Sequence, residues 1–422
     1  MEGVHDKSAG AIRIGRANGG TVIRSTLAES ATAPRCDTNW SVTPITMRLT
    51  VTYHLAGPSR AAAATAADIA FEQTVELAPD AVPSDIAARV AGRVESVTPL
   101  GRGRGRGRGG GGGRSVAVIS FDPAVVCGDL PQLLNLLFGN ISLKAGIFVA
   151  DIAWPEALLE ALPGPALGAA GVRDLTRVRG RPLVCIALKP LGLSAARLAT
   201  LAYQLALAGI DIIKDDHSLV DQPTAPFRER VERCQEAVTR ANHETGGNAQ
   251  YFPNVTGAPP DLTDRAGFAR QVGCRGVVVN ALPAGLGSVR ALGVLGLAVM
   301  SHPSLAGAFF HADHGIAPDV LLGDVFRLAG SDAVIYPNVG GRFPFSRATC
   351  VAINARLRRP LGPVAPAFPV PAGGIDAARV PHWIERYGAD TIFLLGGSLY
   401  RQPDLARAAE RLVEAVRRHC DG

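Results

Sequence analysis

The chain has 422 residues, enough for more than one core, and its 47% hydrophobic and 19% charged residues exclude a disordered chain. The formal charge is +6, but five arginines (Arg102, Arg104, Arg106, Arg108 and Arg114) stand in one short segment. The remainder is close to neutral, which excludes a general nucleic-acid or membrane surface. Seven scattered cysteines without a CxxC pair fit a reducing compartment and mostly buried thiols, and exclude a disulfide framework or zinc knuckle. No run approaches a membrane span, and the N-terminus lacks the basic-then-apolar pattern of a secretory signal, so a cytoplasmic location is expected.

Residues 1–46 are polar, glycine-rich and aperiodic, and are read as a disordered extension; Glu2, Asp6, Glu29 and Asp37 argue against a transit peptide. Met47 opens "MRLTVTYHL", an alternating strand. A helix around "SRAAAATAADIAFEQTV", a second helix at "PQLLNLLFGN" and further strands make residues 47–160 an α+β domain of ferredoxin-like type. Inside it, "GRGRGRGRGGGGGRS" (101–115) has two readings: an RGG-like RNA-binding tract, or an expanded, solvated hairpin loop. The tract has no aromatic residue and the rest of the chain is near neutral, so the loop is favoured and nucleic acid is not expected as a partner.

From residue 161 to 422 the pattern changes. Short apolar runs, each followed by a helical stretch, recur at "LVCIAL" (183–188), "GIDIIK" (209–214), "AQYFPN" (249–254), "GVVVNA" (276–281), "LGLAVM" (295–300), "DAVIYP" (332–337), "AFPVPA" (367–372) and "TIFLLG" (391–396). Eight buried-type strands alternating with helices predict a (β/α)8 TIM barrel. The competing doubly wound sheet lacks a GxGxxG after its first strand.

Chemistry in such a barrel gathers at the C-terminal strand ends. Here they deliver Lys189, Lys214 to His217, Asn254, Asn280, His302, Tyr336 to Asn338, and the glycine pairs Gly373–Gly374 and Gly396–Gly397. Ordinary turn residues would bring fewer lysines. Glycine pairs after the last two strands free backbone N–H groups to face an anion, which points to one phosphate. His311, Asp313 and His314 ("HADH") have a metal-like spacing; a solvated or capping role explains them equally well.

"RPLVCIALKPLGLS" followed by "AGIDIIKDDHSL" resembles the RuBisCO large-chain superfamily, which has Lys-Pro after barrel strand one and Lys-Asp-Asp-Glu after strand two. The resemblance runs from Met47 over nearly all of the rest. "AFEQTV" matches the motif with the family's active-site Glu, here Glu72, and "NLLFGN" the segment with its active-site Asn, here Asn140. "FPVPAGGI" and "FLLGGS" match its phosphate-binding strands. The resemblance implies that Lys214 reacts with CO2 to form a carbamate which, with Asp216 and a third side chain, holds Mg2+. Desolvation would favour the neutral amine that attacks CO2, and the metal would stabilise an enediolate.

Five departures matter. His217 stands where the carboxylases have Glu, which leaves three readings: binding through water, selection of another divalent ion, or a role as acid or base. "KPLGL" omits the family's second lysine. His302-Pro303 replaces His-Arg after strand five, and Ile335 replaces the histidine after strand six, so a second phosphate would lose its anchors. Arg342 takes the place of the mobile-loop lysine that orients CO2. These losses imply a RuBisCO-like protein (form IV) that does not carboxylate.

The reaction expected is metal-assisted isomerisation of a singly phosphorylated ketose, with 5-methylthioribulose 1-phosphate isomerase in sulfur salvage as the leading reading. Lys189 is the expected general base and His302 a second proton carrier. The alternatives are a decarboxylase of 3-oxo-isoapionate 4-phosphate and the 2,3-diketo-5-methylthiopentyl-1-phosphate enolase. A Schiff-base aldolase at Lys214 is separated from these by borohydride trapping, and RNA binding by deletion of residues 101–114. The resemblance also implies a homodimer at least, with Glu72 and Asn140 serving the neighbouring subunit's site.

Overall fold

The structure, a computed structural model, describes residues 47–100, 113–162 and 164–420. The expectations for residues 1–46 and for residues 101–112 of the Gly/Arg tract lie outside the described residues.

Leu49, Val51, Tyr53 and Leu55 turn to the core along β1 (Leu49–Ala56), as a strand with one covered face requires. β2 (Arg93–Leu100), β3 (Arg114–Phe121) and β4 (Ile147–Ala153) complete an antiparallel sheet in which β1 lies between β3 and β4 and β2 lies outside β3. Leu100 pairs with Arg114, so the Gly/Arg tract joins two directly paired strands. The helices Ala62–Glu72 and Leu130–Phe138 cover this sheet with Ile69, Leu133 and Leu137. The strand order 4-1-3-2 with two crossover helices is the ferredoxin-like arrangement expected.

The eight apolar runs form the barrel: β5 (Leu183–Leu188), β6 (Ile212–Asp215), β7 (Gln250–Phe252), β8 (Gly276–Asn280) and β9 (Ala298–His302). After the two-residue β10 (Gly315–Ile316), which lies outside it, follow β11 (Ala333–Pro337), β12 (Phe368–Ala372) and β13 (Ile392–Leu395). All eight run parallel, with β13 beside β5. The circle closes where the Val278 N–H donates to Pro253 O (2.8 Å) and the Val255 N–H to Val278 O (3.0 Å). Both faces are covered, so the strands read as unbroken apolar runs. Cys185, Ile212, Phe252, Val278, Met300 and Val370 fill the interior, while Ile186, Ile213, Val279 and Val334 face the helices. A Cβ on Gly276 would lie 2.3 Å from the Phe252 ring, so the aromatic ring and the glycine require each other.

β10 pairs in parallel with β4, Gly315 opposite Phe148 and Ile316 opposite Val149. The chain after β9 thus adds an edge strand to the N-terminal sheet. Among the described residues no helix is long and apolar enough to cross a membrane.

Two buried aspartates fasten the N-terminal end of the barrel. Arg181 forks onto Asp211 with two 2.8 Å hydrogen bonds, and the Val184 N–H adds a third. Asp332 accepts the N–H groups of Leu167 (2.9 Å), Gly168 (2.6 Å) and Val299 (2.7 Å). Asp332→Ala would strand these buried donors. It is expected to destabilise the protein by roughly 3 kcal/mol or more, read as a lower urea midpoint, with Asp332→Asn costing less.

Candidate active site

The two-residue period of a strand sorts the charges at the barrel mouth. Ile212 faces the interior, so Lys214 and Asp216 face the mouth, and Asp215 faces outward. The same parity carries Lys189 beyond Cys185, Asn254 beyond Phe252, Asn280 beyond Val278 and His302 beyond Met300. On the other half of the circle the equivalent positions are Pro337, Ala372 and Gly396. One half of the mouth is therefore amine, carboxylate and imidazole, and the other is apolar or glycine.

Asp215 is fully buried among the helices. Arg230 Nε (3.1 Å), the Tyr251 hydroxyl (2.9 Å) and the Asn254 N–H (3.0 Å) donate to it. It anchors the strand end and leaves its two neighbours free to point the other way. Lys214 is 2% exposed; among the described residues it makes no ion pair, and its amine donates to Asp215 O (2.8 Å). Burial lowers its pKa against the pull of nearby anionic groups, which favours the neutral, nucleophilic amine.

Asp216 is bonded by Lys189 Nζ, and His217 Nδ1 lies 3.0 Å from its Oδ1. Burial opposes its ionisation, but the hydrogen bonds from His217 and Lys189 outweigh that and hold the carboxyl well below the usual range. Lys189 is itself fixed through its backbone: its N–H donates to the Tyr400 hydroxyl (3.1 Å), which donates to Ala187 O (2.8 Å).

His217 and His302 stack, with ring centroids 4.5 Å apart and planes within 6°. Asn254 and Asn280 each donate Nδ2 to the His217 carbonyl (2.8 and 2.9 Å). Asn280 Oδ1 then accepts the Ser304 hydroxyl proton (3.1 Å), so at 2.8 Å from His302 Nδ1 the Ser304 oxygen must accept. This network assigns the proton of His302 to Nδ1 and leaves Nε2 with its lone pair. Burial, with Lys214 and His217 nearby, holds the His302 pKa well below the usual imidazole range.

Gly373 and Gly374 adopt left-handed φ values of 89° and 67°. A Cβ on Gly396 or Gly397 would meet nothing within 4 Å. The glycine half of the mouth is thus open backbone, a concavity suited to an oxyanion. Arg342 is exposed, its guanidinium 5.4 Å from the Phe343 ring centroid. Ile335, where the resemblance places the histidine that helps hold a second phosphate, is buried inside the barrel.

Glu72 and Asn140 meet, Asn140 Nδ2 donating to Glu72 Oε1 and to Glu76 Oε1 at 3.1 Å each. Among the described residues no hydrogen bond or ion pair joins them to the barrel mouth. The HADH segment divides differently: Asp313 pairs with Arg114, and His314 meets Ser142 O (3.0 Å) and the Phe138 ring. Among the described residues no group of three or more His, Cys, Asp or Glu has metal-binding geometry.

Asn254 and Asn280 stand at the strand ends where the sequence places them; their shared hold on the His217 carbonyl, and the parts played by Ser304 and Tyr400, emerge only in the structure. Nothing local marks Tyr400, which reaches Lys189 from beyond the last strand.

The family model described as ribulose bisphosphate carboxylase large chain, catalytic domain, matches residues 168–418. The ribulose bisphosphate carboxylase-like protein 1 of Rhodopseudomonas palustris is 38% identical over 88% of this chain and 98% of its own. The 5-methylthioribulose-1-phosphate isomerase of Rhodospirillum rubrum is 38% identical over 85% of this chain and 93% of its own. The 2,3-diketo-5-methylthiopentyl-1-phosphate enolase of Geobacillus kaustophilus is 33% identical over 72% and 76%. Among solved structures, a Rubisco-like protein from Rhodopseudomonas palustris superposes with a TM-score of 0.77 at 38% identity, covering 87% of this chain and 97% of that one. An octameric ribulose-1,5-bisphosphate carboxylase/oxygenase from Pyrococcus horikoshii gives 0.79 at 27% identity, covering 90% of each chain. The chain belongs to the RuBisCO large-chain family, with RuBisCO-like proteins among its relatives. That membership and the mouth chemistry together support an enzyme.

The donor set fits the hard cation that the family implies. Asp216 is held ionised, and the N–H donors of Lys189 and His217 already converge on its oxygens, as a cation would. A carbamate on Lys214 would add a second anionic oxygen. His217 would offer a ring nitrogen beside them. With 13C-bicarbonate and Mg2+, a carbamate carbonyl resonance is expected by 13C NMR and should vanish in Lys214→Ala. Its absence from the parent protein would overturn the modification.

Proposed function

We propose that this chain moves protons on the carbons flanking the carbonyl of a singly phosphorylated ketose, and that the reaction is the isomerisation of 5-methylthioribulose 1-phosphate. The observation that carries this reading is the divided mouth, with Lys189, Lys214 and Asp216 facing a glycine-lined half. One anion cradle without a second anchor suits one phosphate. The isomerase relative from Rhodospirillum rubrum also matches a longer stretch at higher identity than the enolase relative does.

Mg2+ held by Asp216, carbamylated Lys214 and His217 would supply Lewis-acid polarisation of the substrate carbonyl. The chain's own residues do the rest. Gly374, Gly396 and Gly397 hold the phosphate by backbone N–H groups, with Gly373 shaping the turn while its own N–H stays on the Leu394 carbonyl (3.4 Å), and they place the carbonyl end toward Asp216. Lys189, 35% exposed at the mouth, takes the carbon-bound proton. His302 is the weaker base but stays neutral, so Nε2 hydrogen-bonds to the reacting oxygens and passes a proton between them.

Enolase and decarboxylase chemistry would make the same demands on this mouth, so substrate turnover decides. In D2O with Mg2+ and bicarbonate, followed by 1H and 31P NMR, 5-methylthioribulose 1-phosphate is expected to take up deuterium and yield a new ketose phosphate. Lys189→Ala should lower kcat by roughly 10²–10⁴-fold. Loss of CO2 from 3-oxo-isoapionate 4-phosphate, with the first substrate untouched, would refute the isomerase reading. So would exclusive turnover of 2,3-diketo-5-methylthiopentyl 1-phosphate.

We also infer a homodimer in which Glu72 and Asn140 reach the partner's barrel mouth. Among the described residues they bond to each other and to Glu76 and not to the barrel mouth, which supports this, as does the octameric state of the Pyrococcus horikoshii relative. Mixing and reassociating inactive Glu72→Gln and Lys214→Ala proteins should restore about a quarter of the parent activity, since one site in each mixed dimer is intact and half the dimers are mixed. No recovery in mixed dimers would place each site within one chain.

A further inference from the structure

Asn338 is fully buried at the foot of the loop after β11. Its Nδ2 donates to the Gly373 carbonyl (3.2 Å), and its Oδ1 accepts from the Tyr387 hydroxyl (2.6 Å). Its backbone N–H donates to Ala372 O and its carbonyl accepts from the Gly341 N–H, both at 3.0 Å. The amide has one satisfactory orientation. The Gly373 carbonyl is only an acceptor and needs the NH2 edge, so the tyrosine proton goes to Oδ1. The hydroxyl comes from the helix Val380–Tyr387, whose last residue is Tyr387.

Gly373 and Gly374 hold left-handed φ values of 89° and 67°. Glycine enters that region without steric cost and leaves it as easily, so something else must hold the peptide plane. In a trans peptide the C=O and the following N–H point in opposite directions. Turning the Gly373 oxygen toward Asn338 therefore turns the Gly374 N–H away from it. Among the described residues that N–H has no hydrogen-bond partner. The same asparagine secures Gly341, and a Cβ on Gly374 would lie 3.1 Å from the Gly340 carbonyl carbon, so the Arg342 loop and the glycine turn are held together.

We propose that Asn338, oriented by Tyr387, is a positioning residue that aims the Gly374 N–H into the phosphate cradle. This rests on the cradle reading given above. Asn338 touches no substrate; it sets the direction of a donor that does. A purely structural asparagine would affect melting temperature and leave the phosphate affinity of the folded protein unchanged.

The test titrates inorganic phosphate into the full-length protein by calorimetry, for the parent, Tyr387→Phe, Asn338→Leu and Gly397→Ala, each checked for cooperative thermal unfolding. A donor to an anion is worth roughly tenfold or more in affinity. Tyr387→Phe and Asn338→Leu are expected to weaken phosphate binding by about that factor. They should raise KM for 5-methylthioribulose 1-phosphate more than they lower kcat. Gly397→Ala fits the open space at its Cβ position and should also weaken phosphate binding. If Gly397→Ala weakens binding and folded Tyr387→Phe does not, the positioning role is overturned. If Gly397→Ala has no effect, the cradle itself is misassigned and this inference falls with it. Should Asn338→Leu fail to fold, Tyr387→Phe decides alone, since it removes one oxygen and keeps the ring.

Discussion

Among the described residues Lys214 is an amine buried without an ion pair, and the arrangement around it follows from that constraint. Enclosing a charged ammonium in a barrel interior costs several kcal/mol unless it is paired or neutralised. Neither carboxylate beside it takes the pairing role: Asp215 is committed to Arg230 and Tyr251, and Asp216 to Lys189 and His217. The amine keeps a backbone carbonyl as its acceptor. Such a group is driven toward its neutral form, in which the amine keeps a lone pair and is nucleophilic. The same burial disfavours protonation of His302, so both nitrogens face the mouth with lone pairs.

The division of the mouth gives this chemistry a direction. Charge and imidazole occupy the β5–β9 side, while β11 to β13 offer proline, alanine and glycine. A substrate carrying one phosphate and one carbonyl has one way to lie across such a site. Ile335 in β11, apolar where the resemblance places a histidine, strengthens that asymmetry. The His217–His302 stack fills the region where a third carboxylate would otherwise stand, and its two asparagine clamps fix a backbone carbonyl, so His217 is set by the loop and not only by its own side chain.

Much of this was legible in the chain. The eight barrel strands appear as apolar runs because both of their faces are buried, and the end of each run points to the mouth. The Lys-Asp-Asp-His puzzle also resolves from parity, since alternate residues of one strand serve different compartments. What could not be read is whatever depends on distant partners. Tyr387 and Tyr400 reach their acceptors from helices and turns well separated in sequence, and no local pattern distinguishes them from ordinary core tyrosines. The HADH spacing looked metal-like because sequence spacing carries no direction: Asp313 and His314 are each drawn to the N-terminal region by Arg114, Ser142 and Phe138.

The short strand β10 has a consequence for how the protein can be divided. It takes a piece of chain from between two barrel strands and seals the outer edge of β4. A fragment ending before the barrel would leave the outer edge of β4 at Phe148 and Val149 without a partner strand, an exposed edge of the kind that templates aggregation. A barrel expressed alone would carry Gly315 and Ile316 with no sheet to join. The two halves are stitched rather than strung in series, so neither can be exchanged as a module without rebuilding the seam.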